Sequence, residues 1–221
     1  ATLPDAQRTT VNATGTVAID ALSLQEAKAT AVGGGGGGAG ISDAQATAKV
    51  LGPNAAFVGD EVHIASANNL LVLAETTAAT ALADVVVGTG GLVSVGTNKA
   101  DAASTVATSA HLGSGVDVVT QTIDAGSSTA PNGDVVVQAV GRGEADAIGN
   151  ASGGGAIQVG VARAVADLQP VVDAPVGANS TIRAAGDFHV DAELVSALPP
   201  TQTITDAIQG VDLGADTLAY D

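Results

Sequence analysis

The sequence predicts an all-β protein, a β-solenoid (parallel β-helix) assembled from repeats of about 53–64 residues. Three observations predict it. Valine and isoleucine alternate with small or polar residues in many short runs, the period-two pattern of half-buried strands. Three motifs recur at matching offsets, which is typical of stacked architectures. Finally, 45 Ala and 29 Gly supply a third of the 221 residues, so each repeat has material for only a thin core.

The first motif is a turn followed by an alternating strand. Its copies lie at 15–21, 69–75, 133–139 and 186–192, so successive copies begin 54, 64 and 53 positions apart. Alternation places one set of side chains on the inward face of each strand. The predicted inward core columns are Val17, Ile19, Leu71, Leu73, Val135, Val137, Phe188 and Val190.

Two further motifs repeat with nearly the same spacing. Glycine clusters followed by small apolar residues lie at 37–41, 90–96 and 154–160, and each reads as a tight solenoid corner or as the tip of a β-hairpin arm. A third motif pairs an apolar residue with a turn glycine, five positions before an aliphatic residue. Its predicted turn glycines are Gly59, Gly113 and Gly177.

These anchors divide the chain into repeats and flanking segments. We expect each repeat to hold two to three coils of about 18–25 residues, with an insertion near 126–132 in the second. Tandem β-sandwich or hairpin-array domains are the alternative fold. The predicted segments are a lead-in strand or linker (1–13), repeat 1 (14–67), repeat 2 with its insertion (68–131), repeat 3 (132–185), the start of repeat 4 (186–198), and a cap, linker or assembly segment (199–221).

Composition excludes several classes. The net charge of -16 argues against nucleic-acid binding, because phosphate contacts need Lys and Arg. Without cysteine there is no disulfide framework and no thiolate metal site. No window of about 20 residues is uniformly apolar, so we expect no membrane insertion. The alanine content of 21–30 and 42–50 suits helices, but the repeat register assigns both segments to strand-rich units.

The order of the motifs resembles that of a known group. A Val-Gly turn, a strand, Gly-Asp-Val-x-Val-x-Ala, an Ala-rich run and a glycine cluster followed by Val-Gly-Val-Ala are similar to repeats of giant bacterial surface proteins, the filamentous-haemagglutinin-like or leukotoxin-like filamentous adhesins. The pattern is fullest at 153–166 and 176–192 and spans roughly 14–198. The resemblance implies a secreted β-helical stalk or adhesive filament.

No catalytic residue, cofactor or placed metal site is predicted. His63, His111 and His189 fall in different columns of the repeat alignment and read as outward strand residues. The segment 37–43 is similar to a calcium-binding nonapeptide repeat, but its carboxylate, Asp43, comes one residue late. We therefore expect no cofactor, and at most calcium held loosely by the acidic surface.

The predicted function is structural. We expect an extracellular or cell-surface protein, a rigid stalk or filament subunit rather than an enzyme. Its expected partners are further copies, joined end to end through segments 9–13 and 203–219, or further repeats of the same polypeptide. An adhesin that binds host or environmental glycans is the alternative, and a polysaccharide-active β-helix enzyme comes third.

Overall fold

The protein chain forms β-strands joined by short turns throughout the part that the structure describes. A computed structural model describes residues 8–121 and 133–196, and no helix occurs among them. The all-β prediction is therefore confirmed for this part of the chain. The strands are β1 (Thr9–Asn12), β2 (Val17–Gly35), β3 (Ala39–Val58), β4 (Val62–Ala67), β5 (Leu70–Gly90), β6 (Val93–Leu112), β7 (Asp117–Thr120), β8 (Val135–Gly154), β9 (Ile157–Leu168), β10 (Val171–Asp173), β11 (Thr181–Arg183) and β12 (Phe188–Ser196).

The strands form three parallel sheets that the chain enters in a fixed order. Sheet I has the short strands β1, β4, β7 and β11, sheet II has β2, β5, β8 and β12, and sheet III has β3, β6, β9 and β10. Every strand pair in the described residues is parallel, which is consistent with a β-helix, whereas hairpins need antiparallel pairs.

Neighbouring strands in a sheet are one whole repeat apart. Val17 pairs with Leu70, Ala39 with Val93, and Val93 with Ile157. The predicted coils of about 18–25 residues are therefore wrong, because one passage through all three sheets uses the entire repeat. The extra length comes from the two long strands of each passage, which reach 19–21 residues in β2, β3, β5 and β6.

All three sheets meet around a first hydrophobic core, the base cluster. It holds the larger aliphatic side chains, including Ile64 of β4, Leu70 of β5 and Leu112 of β6, each at most 1% exposed. Branched side chains fit here because three sheets enclose a wider space than two. The buried members are Ala56, Val58, Ile64, Leu70, Val72, Ala74, Ala110, Leu112, Val116, Val118, Val135, Val137 and Ala139.

A second core, the blade cluster, lies between sheets II and III alone. Alanine dominates it, with valine at a few positions. The gap is narrow: a Cβ added at Gly33 would lie 3.1 Å from the Cβ of Ala44, and one at Gly96 would lie 3.3 Å from Val87. We call the part of the molecule in which sheets II and III face each other the blade. Its narrow gap is the physical reason for the high alanine and glycine content of the chain. Its buried members are Ala44, Ala46, Ala48, Val50, Ala79, Ala81, Ala83, Val85, Val87, Ala100, Ala102 and Val106.

Buried polar side chains separate the two cores. Asn54 Nδ2 donates to the carbonyl oxygens of Glu75 (2.8 Å) and Ala21 (3.2 Å). The hydroxyl oxygens of Thr76 and Thr108 are 2.6 Å apart across the two sheets. These bonds tie sheet II to sheet III at the point where the ladder of β2 and β5 shifts register, between Ser23 and Leu24.

The glycine clusters form the tip of the blade, where sheet II turns into sheet III. The segments before and after each cluster lie in different sheets, so the corner interpretation fits and the hairpin-arm interpretation is wrong. Successive tips stack closely. A Cβ at Gly91 would overlap the carbonyl oxygen of Gly37, and one at Gly155 would overlap that of Gly91. Gly91 also has φ of 147°, which disfavours any L side chain.

The predicted inward columns need one correction. Val17 and Ile19 pair with Leu70 and Val72, not with Leu71 and Leu73. Leu70 and Val72 are fully buried, so Leu71 and Leu73 lie on the outward face of sheet II. The offset from Val17 to Leu70 is one position shorter than the motif alignment implies, and a slip of one residue exchanges the faces of a strand.

The other predicted inward positions do face inward, either within the base cluster or on the edge strand β12. Val135 and Val137 are fully buried. Phe188 and Val190 share their columns but stay 45% and 43% exposed, because β12 has a neighbour on one side only among the described strands. The predicted insertion at 126–132 and the segments 199–221 and 203–219 lie outside the described residues.

Candidate functional site

The predicted turn glycines stack at the corner between sheets III and I. Gly113 N donates to Val58 O and Gly177 N donates to Leu112 O, both at 2.8 Å. A Cβ at Gly113 would lie 2.6 Å from the carbonyl carbon of Gly59, and one at Gly177 would overlap Gly113. Glycine is needed at Gly113 and Gly177 because each of these turns rests directly on the backbone of the turn before it, whereas a Cβ at Gly59 would meet nothing within 4 Å.

Acidic and amide side chains link successive turns. Asp60 Oδ1 accepts from Ser114 N at 2.7 Å, and Asp134 Oδ1 accepts from Asp187 N at 2.7 Å. Asn69 Oδ1 accepts from the N–H groups of Gly133 (3.1 Å) and Asp134 (2.9 Å). These oxygens satisfy backbone donors one repeat further along the chain, so they act as structural caps.

Sheet I brings one histidine, His63, to a carboxylate of the next repeat. His63 Nδ1 lies 3.1 Å from Asp117 Oδ2, and Arg183 Nη1 lies 3.2 Å from Asp117 Oδ1. His63 and Asp117 are direct partners in the parallel ladder. One carboxylate thus contacts a side chain from each neighbouring strand of sheet I, and Arg183 supplies the opposite charge that stabilises the ladder.

His111 contributes to a column of rings on the outward face of sheet III. Its imidazole stacks on the ring of Phe57 with centroids 5.1 Å apart and planes 5° apart. Leu112 bridges to Val176, which places Pro175 next in the same column. Beside these rings, a shallow groove of about 360 Å³ extends over the turn glycines, with Asp60 and Ser114 in its lining.

The remaining predicted candidates are separate. His189 pairs with Val136 on the outward face of sheet II. Asp43 faces outward and its Oδ1 accepts from Thr97 Oγ1 at 2.6 Å, whereas Ser42 of the same segment points inward. Their oxygens therefore do not converge as calcium ligands must. Within residues 8–121 and 133–196, no three His, Cys, Asp or Glu residues form a group that could hold a metal.

The outward faces of sheets II and III differ in charge over the described strands. Sheet II presents the carboxylates Asp20, Glu26, Glu75, Asp84, Glu144, Asp146, Asp191 and Glu193, with the cations Lys28 and Arg142. Sheet III presents the carboxylates Asp43, Asp101, Asp167 and Asp173, with the cations Lys49, Lys99 and Arg163. Sheet II is thus strongly acidic and sheet III is nearly neutral. The sequence did not reveal this difference, because alternation assigns a residue to a face but not to a sheet.

An ion pair on sheet II was also missed. Arg142 Nη1 lies 3.0 Å from Glu75 Oε1, and the Arg142 side chain is 8% exposed. The two residues are 67 positions apart, close to the repeat spacing, but no motif includes Arg142.

Comparison with known proteins names no relative of this chain. No family model, curated protein or solved structure matches it. In the part of the chain that the structure describes, no helix is long and apolar enough to cross a bilayer. The candidate functions therefore rest on the geometry of the sheets, turns and faces.

Proposed function

We propose that this chain is a β-solenoid (parallel β-helix) segment of an extracellular protein, and that it serves as a rigid stalk or filament subunit at the cell surface. In this proposal each whole repeat is one coil, and the chain works by spacing and assembly rather than by turnover. The resemblance to filamentous surface adhesins is part of the proposal.

The observation that carries the proposal is the uniform parallel pairing at one repeat's distance in all three sheets. Each inner strand uses its backbone donors and acceptors on the strand one repeat earlier and on the strand one repeat later. Such a stack grows by adding coils without changing any contact already made. The stiffness of the rod follows from continuous ladders along its axis, and the net charge of -16 keeps rods soluble.

The open sheet edges suit end-to-end contacts. Among the described strands, β2 and β12 each have a single neighbour in sheet II. Both carry alternating aliphatic or aromatic residues on the inward face, Val17 and Ile19 on β2 and Phe188 and Val190 on β12. A further coil, from another copy or from the same polypeptide, would cover these residues and pair the exposed backbone.

Mass per unit length tests the proposed coil. With 21.1 kDa spread over 221 residues and one coil per ~4.8 Å, a rod has about 11–13 kDa per nm. Coils of about 18–25 residues would give only about 4–5 kDa per nm. The measurement is scanning transmission electron microscopy of unstained material taken from the surface of the producing cells. Straight rods at the higher value support the proposal, and rods at the lower value, or particles without a rod axis, overturn it.

Location needs its own experiment. Antibodies raised against the chain should label intact, unpermeabilised cells. Labelling that appears only after the cells are opened would refute the extracellular assignment, whatever the shape of the rods.

A glycan-binding adhesin is the second candidate, and the ring column favours it. Phe57 is 54% exposed, and the groove beside it offers the carboxylate of Asp60 and the hydroxyl of Ser114. A glycan array tests this idea. Binding that is lost in Phe57→Ala and kept in Leu51→Ala, an equally outward substitution on the same strand, would support the adhesin. If no glycan on the array binds the chain at high protein density, the adhesin is refuted and the structural role remains.

A further inference from the structure

The outward face of sheet III carries an aliphatic patch, which we call the sheet III patch. Ile41, Val95 and Val159 follow one another in a single column across three strands, and Ile41 is 79% exposed. Val93 and Ile157 form the adjoining column. The patch consists of Ile41, Val93, Val95, Ile157, Val159 and Val161.

Strand propensity alone does not explain these residues. Threonine serves a strand equally well, and the same face uses it at Thr47, Thr97 and Thr105. The aliphatic residues instead gather beside the glycine tip, on the less charged of the two long faces. Contiguous exposed apolar surface of this kind marks an interaction site.

The size of the face matches a stable protein interface. Strands β3 and β6 are 20 residues long, and at ~3.3 Å per residue they extend about 66 Å. Three strands ~4.8 Å apart give a width of about 14 Å. The product is about 900 Å² on one partner, close to the ~800 Å² per partner of a standard complex.

We propose that two copies of this chain pair side by side through the outward faces of sheet III. Contact through sheet II would bring the eight described carboxylates of one copy against those of the other, whereas sheet III is nearly neutral and mixes Lys49, Lys99 and Arg163 with its acids. A second copy also has the same spacing between its strands. Each aliphatic column of one copy therefore lies against the equivalent column of the other along β3, β6 and β9. The same patch on both partners makes the contact isologous.

This pairing is lateral and needs no end-to-end growth. It therefore stands or falls separately from the proposed filament. Because each copy carries a charge of -16, screening of the mutual repulsion should strengthen the pair as salt rises from about 0.01 M to about 0.15 M.

Sedimentation velocity of the complete chain over a concentration series tests the proposal. We expect a dimer that dissociates at least about tenfold more readily in Ile41→Asp/Val159→Asp. The matched control, Leu24→Asp/Ile148→Asp, adds the same charge to exposed aliphatic positions on sheet II and should leave the dimer intact. Circular dichroism checks that both variants remain folded. A monomer at every concentration, or equal dissociation in both variants, overturns the proposal.

Labelling locates the contact and separates it from the alternatives. The chain has no cysteine, so Val159→Cys and Ile148→Cys each supply one reactive thiol. Alkylation of Val159→Cys should slow as protein concentration rises, while that of Ile148→Cys stays constant. Protection of Val159→Cys at all concentrations, relieved by removing residues 197–221, would assign the patch to the chain's own tail and refute the dimer. Equal, concentration-independent rates would also refute it.

Discussion

The register of sheet II makes Leu70 and Leu71 a matched pair, identical in type and adjacent in sequence. Leu70 is fully buried in the base cluster, while Leu71 lies on the outward face. Leu70→Ala removes three carbons, worth about 2.4 kcal/mol in transfer free energy. The cavity left in a core built by three sheets raises the loss to about 3–4 kcal/mol of unfolding free energy. Leu71→Ala opens no enclosed cavity and should cost about 1 kcal/mol.

Thermal unfolding followed by circular dichroism measures the difference. For a chain of this length each kcal/mol shifts Tm by about 2–4 °C, so Leu70→Ala should melt roughly 6–16 °C below the parent chain. Leu71→Ala should melt within roughly 4 °C of it. Val72→Ala and Leu73→Ala repeat the comparison one step along the strand. If the Leu71 and Leu73 variants lose as much stability as their neighbours, the pairing of Val17 with Leu70 is wrong and the inward face is the other one.

Three further substitutions test the blade, its tip and the polar junction, all by equilibrium unfolding in urea. Ala81→Leu overfills the narrow gap and should cost about 1–3 kcal/mol, whereas Ala78→Leu on the outward face should be nearly neutral; equal effects would mean that the gap is not narrow. Gly155→Ala places a Cβ against the Gly91 carbonyl and should destabilise the tip, while Gly154→Ala meets nothing within 4 Å and should not; similar midpoints would contradict the stacked tips. Asn54→Ala leaves two backbone carbonyls without their donor and should cost about 1–3 kcal/mol, and an unchanged midpoint would show that these carbonyls find other donors.

Much of the fold follows from the repeat spacing. The recurrence of the three motifs predicts which segments are ladder partners, and the alternation predicts strands in β2, β8 and β12. The coil length could not be derived in the same way. Segments 21–30 and 42–50 show too little aliphatic alternation to reveal that each belongs to one unbroken strand, β2 of 19 residues and β3 of 20 residues, so shorter coils were expected.

The register of β5 could not be derived from the sequence for a different reason. The segment 69–75 contains four consecutive apolar residues, Leu70 to Leu73, and a continuous apolar run fits either face of a strand. The register of this segment therefore depends on the turn before it. At that turn the first repeat is one residue shorter than the motif alignment implies. In 133–139 the leading Gly-Asp fixes the same choice, and Val135 and Val137 face inward.

The functional features depend on contacts between repeats. Asp117 joins His63 to Arg183, each from a different repeat, and the ring column draws Phe57, His111 and Pro175 from three repeats. Each member is an ordinary outward residue in its own repeat. The column exists because parallel stacking superimposes equivalent positions ~4.8 Å apart. The spacing of the turn glycines Gly59, Gly113 and Gly177 already aligns these positions, but it does not show which side chains contact one another.

The distribution of large apolar residues completes the argument for surface contacts. The blade admits alanine and glycine, with valine at a few positions, so most leucine and isoleucine side chains lie in the base cluster or on the outward faces. On the outward face of sheet II they are interspersed with the carboxylates, which oppose close approach by another acidic chain. On sheet III the aliphatic side chains adjoin one another in Ile41, Val95 and Val159, across three strands near the tip. Threonine would serve a strand equally well at these positions, so the contiguous aliphatic columns are the observation on which the proposed side-by-side pairing rests.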